Sequence, residues 1–520
     1  MKNLLRFIKP IATFLTFTRK PPSMRTGQGI LAAVVLFLGI LAFPLGTDIL
    51  PHQARLTAAV VALMVTLWVT EAIPLEVTAL VPLVAFPLLG ILTVQQSAAP
   101  YADPVIFLFL GGFIIARAME RWNLHQRIAL HIIRIAGTSP RHLILGFMTA
   151  TAFISMWISN TATAMMMVPI AIAIGNSLVR NGNGDSAGLS PGETAFTGCL
   201  LLSVAWSASI GGLGTPIGSP PNGIFLSQVP LLLPDVPPIG FFSWLMFGIP
   251  LVCLLIPAAW ICLTKLVYPN IPLSIPGART IIDNQIEQLG RMSRAELLTL
   301  CVFLLTAAAW IFSDTKEIGG VIIPGLDKIF PEINDTVIAI GGALLLFLLP
   351  SGEEGEGRLM DWKTASGIPW GILLLFGGGL CLSAAFLKSG LANTLGGILG
   401  NIPVIHPLIL LLTVILVISF LTEVASNTAI ASLMMPIMAV FGATAGMNPV
   451  ILMLAAACAS SMAFMMPVAT PPNAIVYGTG RIAMKSMMKA GLLMNFISAL
   501  ILLFIIGFIV PVVLGVPLMR

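Results

Sequence analysis

"SNTATAMMMVPIAIA" occupies residues 159–173 inside an apolar run, and "SNTAIASLMMPIMAV" returns at 426–440. Eight of the fifteen positions are identical, 267 residues apart. Around the first copy, residues 143–179 are 37 consecutive uncharged positions. A single helix of that length would reach about 55 Å, too long to cross a hydrocarbon core of roughly 30 Å once. Divided at Ser159-Asn160-Thr161, the first part is 16 residues long. It reaches about 24 Å, which suits a re-entrant hairpin whose polar turn stops inside the membrane. Hairpins are therefore expected over 142–178 and 406–441. Non-helical backbone at membrane depth has to be buried in protein or line an aqueous cavity, because lipid cannot satisfy its N–H and C=O groups.

The composition agrees. The chain has 520 residues, 57% of them hydrophobic and 9% charged. Soluble domains carry roughly 25% charged residues, so that class is excluded. Transmembrane β-barrels are excluded too, because the apolar runs are continuous and do not alternate. The expected fold is an all-α polytopic membrane protein with about 11 transmembrane helices plus the two hairpins. Spans are predicted near 28–45, 56–73, 75–92, 104–120, 241–267, 297–313, 334–350, 367–387 and 490–515. Broken helices are predicted over 194–230 and 449–479.

Residues 1–27 form a basic arm with Lys2, Arg6, Lys9, Arg19, Lys20 and Arg25 and no acid. The loops at 117–141, 269–296 and 481–489 are rich in Arg and Lys, whereas 93–103 and 229–240 have neither. Excess basic residues stay on the cytoplasmic side. This places the arm and the linker 269–296 in the cytoplasm of a multi-pass cell (inner) membrane protein, with the C-terminus outside. The linker divides a first repeat, 28–268, from a second, 297–520. The six cysteines lie in apolar segments without a C-x-x-C pair and read as small buried hydrophobes.

A second interruption follows each hairpin: "GLGTPIGSPPN" at 212–222 and "MPVATPPN" at 466–473. Consecutive prolines remove backbone donors and forbid regular helix through that point. "FLFLGGFIIARAM" (107–119) and "LLLFGGGLCLSAA" (373–385) resemble each other as well. The chain is thus an internal duplication of glycine-rich helix, hairpin and broken helix. The predicted topology makes it an inverted repeat. Secondary transporters use that arrangement to place a site between discontinuous helices near the midplane.

Ser, Asn and Thr are favoured N-cap residues, and a helix N-terminus with free N–H groups is a ready anion site. Unwound carbonyls, hydroxyls and Asn oxygens also make hard ligands for an alkali cation. Ser155 and Thr422 each lie four residues before a motif, which points a hydroxyl toward the turn. A single Ser-Asn-Thr would be read as a packing or hydrogen-bonding device. Two copies, each with a matched proline break, argue against that reading. Met165 to Met167, Met434, Met435, Met465 and Met466 read as gap-filling core. Glu423, the one charge of the second hairpin, reads as a buried hydrogen-bonded strut, with proton coupling the alternative. Glu71 and Glu76 read as helix caps.

The paired motifs, "TEAIP" (70–74) and "SSMAFMMPVATPPNAIV" (460–476) resemble the divalent anion/sodium symporter family over essentially the whole chain. Ser461, Phe464, Pro467, Ala469, Asn473 and Val476 fall where that family's signature has them. The resemblance implies a homodimeric elevator transporter, with a scaffold domain holding the dimer and a transport domain containing both hairpins and both broken helices. It implies one Na+ site at Ser155, Ser159, Asn160 and the Gly218 carbonyl, and a second at Thr422, Asn427 and the Ala469 carbonyl. The substrate would touch Ser159, Asn160, Thr161, Ser219, Pro220, Ser426, Asn427, Thr428, Thr470 and Pro471. Gly214 and Thr215 offer a competing break to Gly218.

Two intact motifs fit a C4-dicarboxylate such as succinate, malate or fumarate, held at both ends. Sulfate symport and sodium-independent exchange are the alternatives within the family. An intramembrane hydrolase is the distant alternative. It is disfavoured because His52, His125, His131, His142 and His406 lie at predicted loops or membrane edges, and a serine without a base is inert. A pore is disfavoured by the duplication, no nucleic-acid partner is expected, and the chain is not an enzyme by this reading.

Overall fold

The computed structural model describes residues 22–42, 50–137, 139–180, 191–272, 277–318, 321–353, 357–399 and 406–519. Residues 1–21 of the predicted basic arm lie outside these. The protein is an all-α membrane protein, and its described residues include one small antiparallel β-hairpin, Lys316–Ile318 with Val321–Ile323. Among the described residues eight helices are long and apolar enough to cross a membrane, and several shorter apolar helices accompany them.

Local sequence sets the helix ends. The Asp103 carboxylate accepts from the Val105 N–H at 2.9 Å ahead of Pro104–Arg121. Asn448 does the same for Pro449–Ser460, accepting from Val450 at 3.1 Å. In both cases a polar cap precedes a proline at the first helical position, where no N–H is needed.

At each Ser-Asn-Thr copy one helix ends and another begins: Pro140–Ser155 is followed by Asn160–Arg180, and Pro407–Leu421 by Asn427–Thr444. The broken helices are Pro191–Gly211 with Pro220–Leu232, and Pro449–Ser460 with Pro471–Gly478. The tip of the first hairpin is anchored by rings. Trp157 stacks on Phe241 (6.1 Å, 20°), Phe241 stacks on Trp310 (4.7 Å, 10°), and Phe303 meets Trp157 edge-on at 4.9 Å.

The duplication is visible in the packing. Asn123 (φ 56°) and Gly390 (φ 75°), again 267 apart, both take left-handed backbone after the glycine-rich helices Pro104–Arg121 and Trp370–Lys388. Phe109 and Phe376, at the same separation, meet each other edge to face at 4.8 Å and 83°.

Some elements differ from the sequence expectation. The span expected over 75–92 divides into Leu75–Thr78 and Val81–Leu88. Pro82 has no N–H to offer the Thr78 carbonyl, so the ladder stops there. Within the linker, Ala278–Leu289 is a helix. It lies against Leu124–Ala136, an amphipathic helix too short and polar to read as a span. Arg134 pairs with Asp283 at 3.1 Å, and Arg127 holds Glu296 in a two-pronged pair at 2.6 and 3.0 Å. Arg127 also donates to the Leu289 and Gly290 carbonyls.

Close backbone contact seats the first broken helix on the first hairpin. A Cβ added at Gly211 would lie 2.3 Å from the Ala152 carbonyl oxygen, whereas Gly341 has open space. Overpacking a rigid interface costs about 1–3 kcal/mol. Gly211→Ala is therefore expected to lower the unfolding temperature of the purified protein, with Gly341→Ala neutral. Equal melting of the two variants would show that this contact yields freely.

Candidate functional site

The two hairpin turns and the two helix breaks converge on one cavity of about 440 Å³. Its wall includes Ser159, Asn160, Thr161, Gly218, Ser219 and Pro220 from the first repeat. The second repeat supplies Ser426, Asn427, Thr428, Ala469, Thr470 and Pro471. Ser155 and Thr422 do not reach the wall; both are fully buried behind the asparagines.

Their roles in the geometry match. The Ser155 hydroxyl lies 2.7 Å from both Asn160 Oδ1 and the Ala208 carbonyl. The Thr422 hydroxyl lies 2.5 Å from Asn427 Oδ1 and 2.8 Å from the Ser460 carbonyl. In each repeat one hydroxyl thus bridges the motif asparagine to the helix that is about to break. A Cβ built on Gly212 would sit 2.8 Å from Asn160 Oδ1 and 3.0 Å from the Gly218 carbonyl oxygen. Those two oxygens therefore face a single small space, which glycine leaves open. Ala463 and Ala469 stand at the corresponding positions of the second repeat, 251 residues on.

The breaks are closed by a pair of residues that sequence reasoning gave no structural part. Asn222 Nδ2 donates to the Gly212 and Thr215 carbonyls, both at 2.8 Å. Asn473 Nδ2 donates to the Ala463 and Met466 carbonyls, both at 3.1 Å. Donors and acceptors alike are offset by 251. Each asparagine is fully buried and stitches the two ends of an unwound loop together. The pairing of Asn222 with Asn473 in the proline motifs was the available signal. The Thr215 hydroxyl also donates to the Met156 carbonyl and accepts from the Gly218 N–H at 3.1 Å. Thr215 thus supports the break from behind, and Gly218 is the residue on the wall.

The hydroxyls on the wall are not equivalent. Ser159 accepts from the Ala162 N–H at 3.3 Å, and Thr470 from the Asn473 N–H at 3.2 Å. Ser219 and Ser426 cap their helices without a side-chain bond. Ser219 meets Ser461 at 3.2 Å, which joins the two breaks directly. The helices starting at Asn160 and Asn427 present first-turn N–H groups with no intrahelical acceptor. The helices starting at Pro220 and Pro471 carry proline at their first two positions and offer no N–H there.

Glu71 was expected to act as a cap. It takes left-handed backbone (φ 48°) at the end of His52–Thr70 and stands on the cavity wall beside Leu75. Glu76 lies in the first turn of Leu75–Thr78, in keeping with a capping role. Phe113, Ile217, Ile372 and Val468 supply apolar wall that no polar motif announced. Among the described residues no Lys, Arg or His lines the cavity. Chemically, the site offers hydroxyls, carboxamides and helix N-termini to an anion, and converging oxygens to a small cation, with no fixed positive charge.

The chain is similar to known proteins in sequence and in fold. The profile of the sodium:sulfate symporter transmembrane region matches residues 26–515. The sodium-dependent dicarboxylate transporter SdcS of Staphylococcus saprophyticus is 39% identical over 507 residues, covering 97% of this chain and 95% of that protein. The SdcS of Staphylococcus aureus strain MRSA252 is 38% identical over 515 residues, covering 98% and 96%. Two solved structures share the fold at low identity. Neisseria gonorrhoeae MtrF has a TM-score of 0.55 at 12% identity, covering 88% of this chain and 94% of its own. The Alcanivorax borkumensis YdaH transporter has a TM-score of 0.55 at 14% identity, covering 90% and 100%. The chain belongs to the sodium:sulfate symporter family.

Proposed function

We propose that the protein is a sodium-coupled symporter of small divalent anions, C4-dicarboxylates such as succinate, malate and fumarate foremost. The observation that carries this reading is the duplicated turn. Two asparagine oxygens, each held by a buried hydroxyl, flank one cavity that also receives two helix N-termini. The relatives named sodium-dependent dicarboxylate transporters support the choice of ion and substrate.

One Na+ is assigned to Ser155, Ser159, Asn160 and the Gly218 carbonyl, and the other to Thr422, Asn427 and the Ala469 carbonyl. The anion then lies between Ser159, Asn160, Thr161, Ser219 and Pro220 on one side and Ser426, Asn427, Thr428, Thr470 and Pro471 on the other. Each asparagine serves an ion and the substrate together. With no lysine or arginine at hand, a dianion has to wait for its cations. That requirement couples the two fluxes.

The working protein is a homodimer in the cell membrane, with the N-terminus cytoplasmic and the C-terminus outside. The repeats 28–268 and 297–520 are inverted about the linker 269–296. The hairpins and broken helices form a transport domain that moves as an elevator against the scaffold helices.

In proteoliposomes loaded without sodium, external sodium is expected to drive succinate uptake, with sulfate transported poorly. Uptake indifferent to sodium would remove the symport reading, and preferred uptake of sulfate would replace the substrate. A polar contact to a charged group is worth about 1.5–3 kcal/mol, so losing two costs about a hundredfold or more. Asn160→Ala and Asn427→Ala are each expected to reduce uptake by that factor while the purified protein stays folded. Near-wild-type uptake by both would refute the site.

A further inference from the structure

One contact at the site has no counterpart in the duplication. Ser219 and Thr470 precede the second arms of the two broken helices, and both stand on the cavity wall. The Thr470 hydroxyl is engaged by its own helix, accepting from the Asn473 N–H at 3.2 Å. In the first repeat the matching Asn222 N–H goes to the Ser219 carbonyl, at 3.1 Å, and leaves the Ser219 hydroxyl uncapped. That hydroxyl meets Ser461 Oγ at 3.2 Å instead. The residue corresponding to Ser461, 251 positions earlier, is Ile210, which has no polar side-chain atom. A hydroxyl therefore crosses from the second repeat to the first, and the isoleucine cannot return it.

Ser461 itself does not reach the cavity wall. It is 1% exposed and follows the last turn of Pro449–Ser460. Its place is fixed from both directions along the chain. The Ser460 carbonyl accepts from the Thr422 hydroxyl at 2.8 Å. Beyond it, the Phe464, Met465 and Met466 N–H groups form a nest around the Glu423 carboxylate at 2.7 to 3.1 Å. Asn495 Nδ2 donates to the same carboxylate at 2.8 Å. Ser461 is thus a firm mount for its hydroxyl. Among the described residues that hydroxyl has one hydrogen-bond partner, Ser219.

The chemistry of a hydroxyl pair sets a direction. Each serine has one proton to donate and two lone pairs with which to accept. An anion in the cavity only accepts. When Ser219 donates to it, the Ser219 proton is no longer available to Ser461, so the bond between the serines requires Ser461 to donate. A hydroxyl that accepts one hydrogen bond while donating another is also the stronger donor, because the two bonds polarise each other. From this geometry we infer that Ser461 is a positioning residue for the anion: it donates to Ser219 Oγ and turns the Ser219 proton into the cavity, toward one carboxylate of the dicarboxylate. The inference rests on the reading above in which Ser219 touches the anion. Ser461 does for Ser219 what the Asn473 N–H does for Thr470, so one end of the substrate is held through both repeats and the other through one.

Succinate uptake into proteoliposomes at saturating sodium tests this. Ser461→Ala is expected to raise the KM for succinate about fivefold, the worth of one ordinary hydrogen bond. Vmax and the half-saturating sodium concentration should stay close to wild type. Ser219→Ala loses the contact to the anion and should raise KM about tenfold or more. The double variant should match Ser219→Ala alone, because two residues acting through one contact are not additive. A purely structural serine would instead act alike on both backgrounds. A Ser461→Ala variant with wild-type KM, effects that multiply in the double variant, or an equal rise in half-saturating sodium would overturn the inference.

If Ser461→Ala does not fold, Ser461→Cys decides, since a thiol is close in size and a weaker donor. A raised succinate KM with no further rise on the Ser219→Ala background upholds the role, and a wild-type KM refutes it. Ser219→Ala with wild-type succinate KM would strike the anion-contact reading itself, and this inference with it.

Discussion

Backbone that leaves helical geometry in an apolar solvent has to find its hydrogen-bond partners inside the protein. Four such departures meet in this molecule, and the rest of the structure is arranged around satisfying them. Asn222 and Asn473 stitch the two breaks, and Ser155 and Thr422 hold the two turns to those breaks. Glu423 collects what remains on one side. Because the Ser155, Thr422 and Glu423 ties link a turn to a break in the same repeat, the unwound elements form a cross-connected unit. The long apolar helices around it can remain regular.

The same arrangement lines a cavity with polar groups although, among the described residues, no lysine, arginine or histidine stands on its wall. Polar backbone is brought to one place because it has nowhere else to go, and its leftover donors and acceptors line the cavity. Helix N-termini at Asn160 and Asn427 favour negative charge. Carbonyl and carboxamide oxygens favour positive charge. Groups that favour either sign thus line one cavity.

Much of this was legible in the sequence because the signals were doubled. Ser159-Asn160-Thr161 and its copy, the half-length arms and the Pro-Pro-Asn breaks led to the hairpins, the broken helices and most of the cavity wall. What stayed hidden depended on three-dimensional proximity. Glu71 reaches the wall through a left-handed backbone turn, which its neighbours in "TEAIP" do not announce. Ser155 and Thr422 were found by spacing, yet their burial behind the asparagines depends on Ala208 and Ser460, far along the chain. The nest around Glu423 joins three elements and has no local signature. Helices such as Leu124–Ala136 and Ala278–Leu289 escaped a search tuned to apolar runs, because only one face of each is apolar; Arg134 and Asp283 pair across them.

The prolines that open Pro220–Leu232 and Pro471–Gly478 have a consequence for how such a site can change. By withholding N–H groups at the helix starts, they leave recognition on that side to the hydroxyls of Ser219 and Thr470 and to the apolar rings themselves. A side chain can be exchanged by a single substitution, whereas a backbone donor cannot. Part of what the hairpin side presents to the cavity is therefore fixed in the backbone, whereas what the proline side presents is carried by side chains that one substitution can exchange.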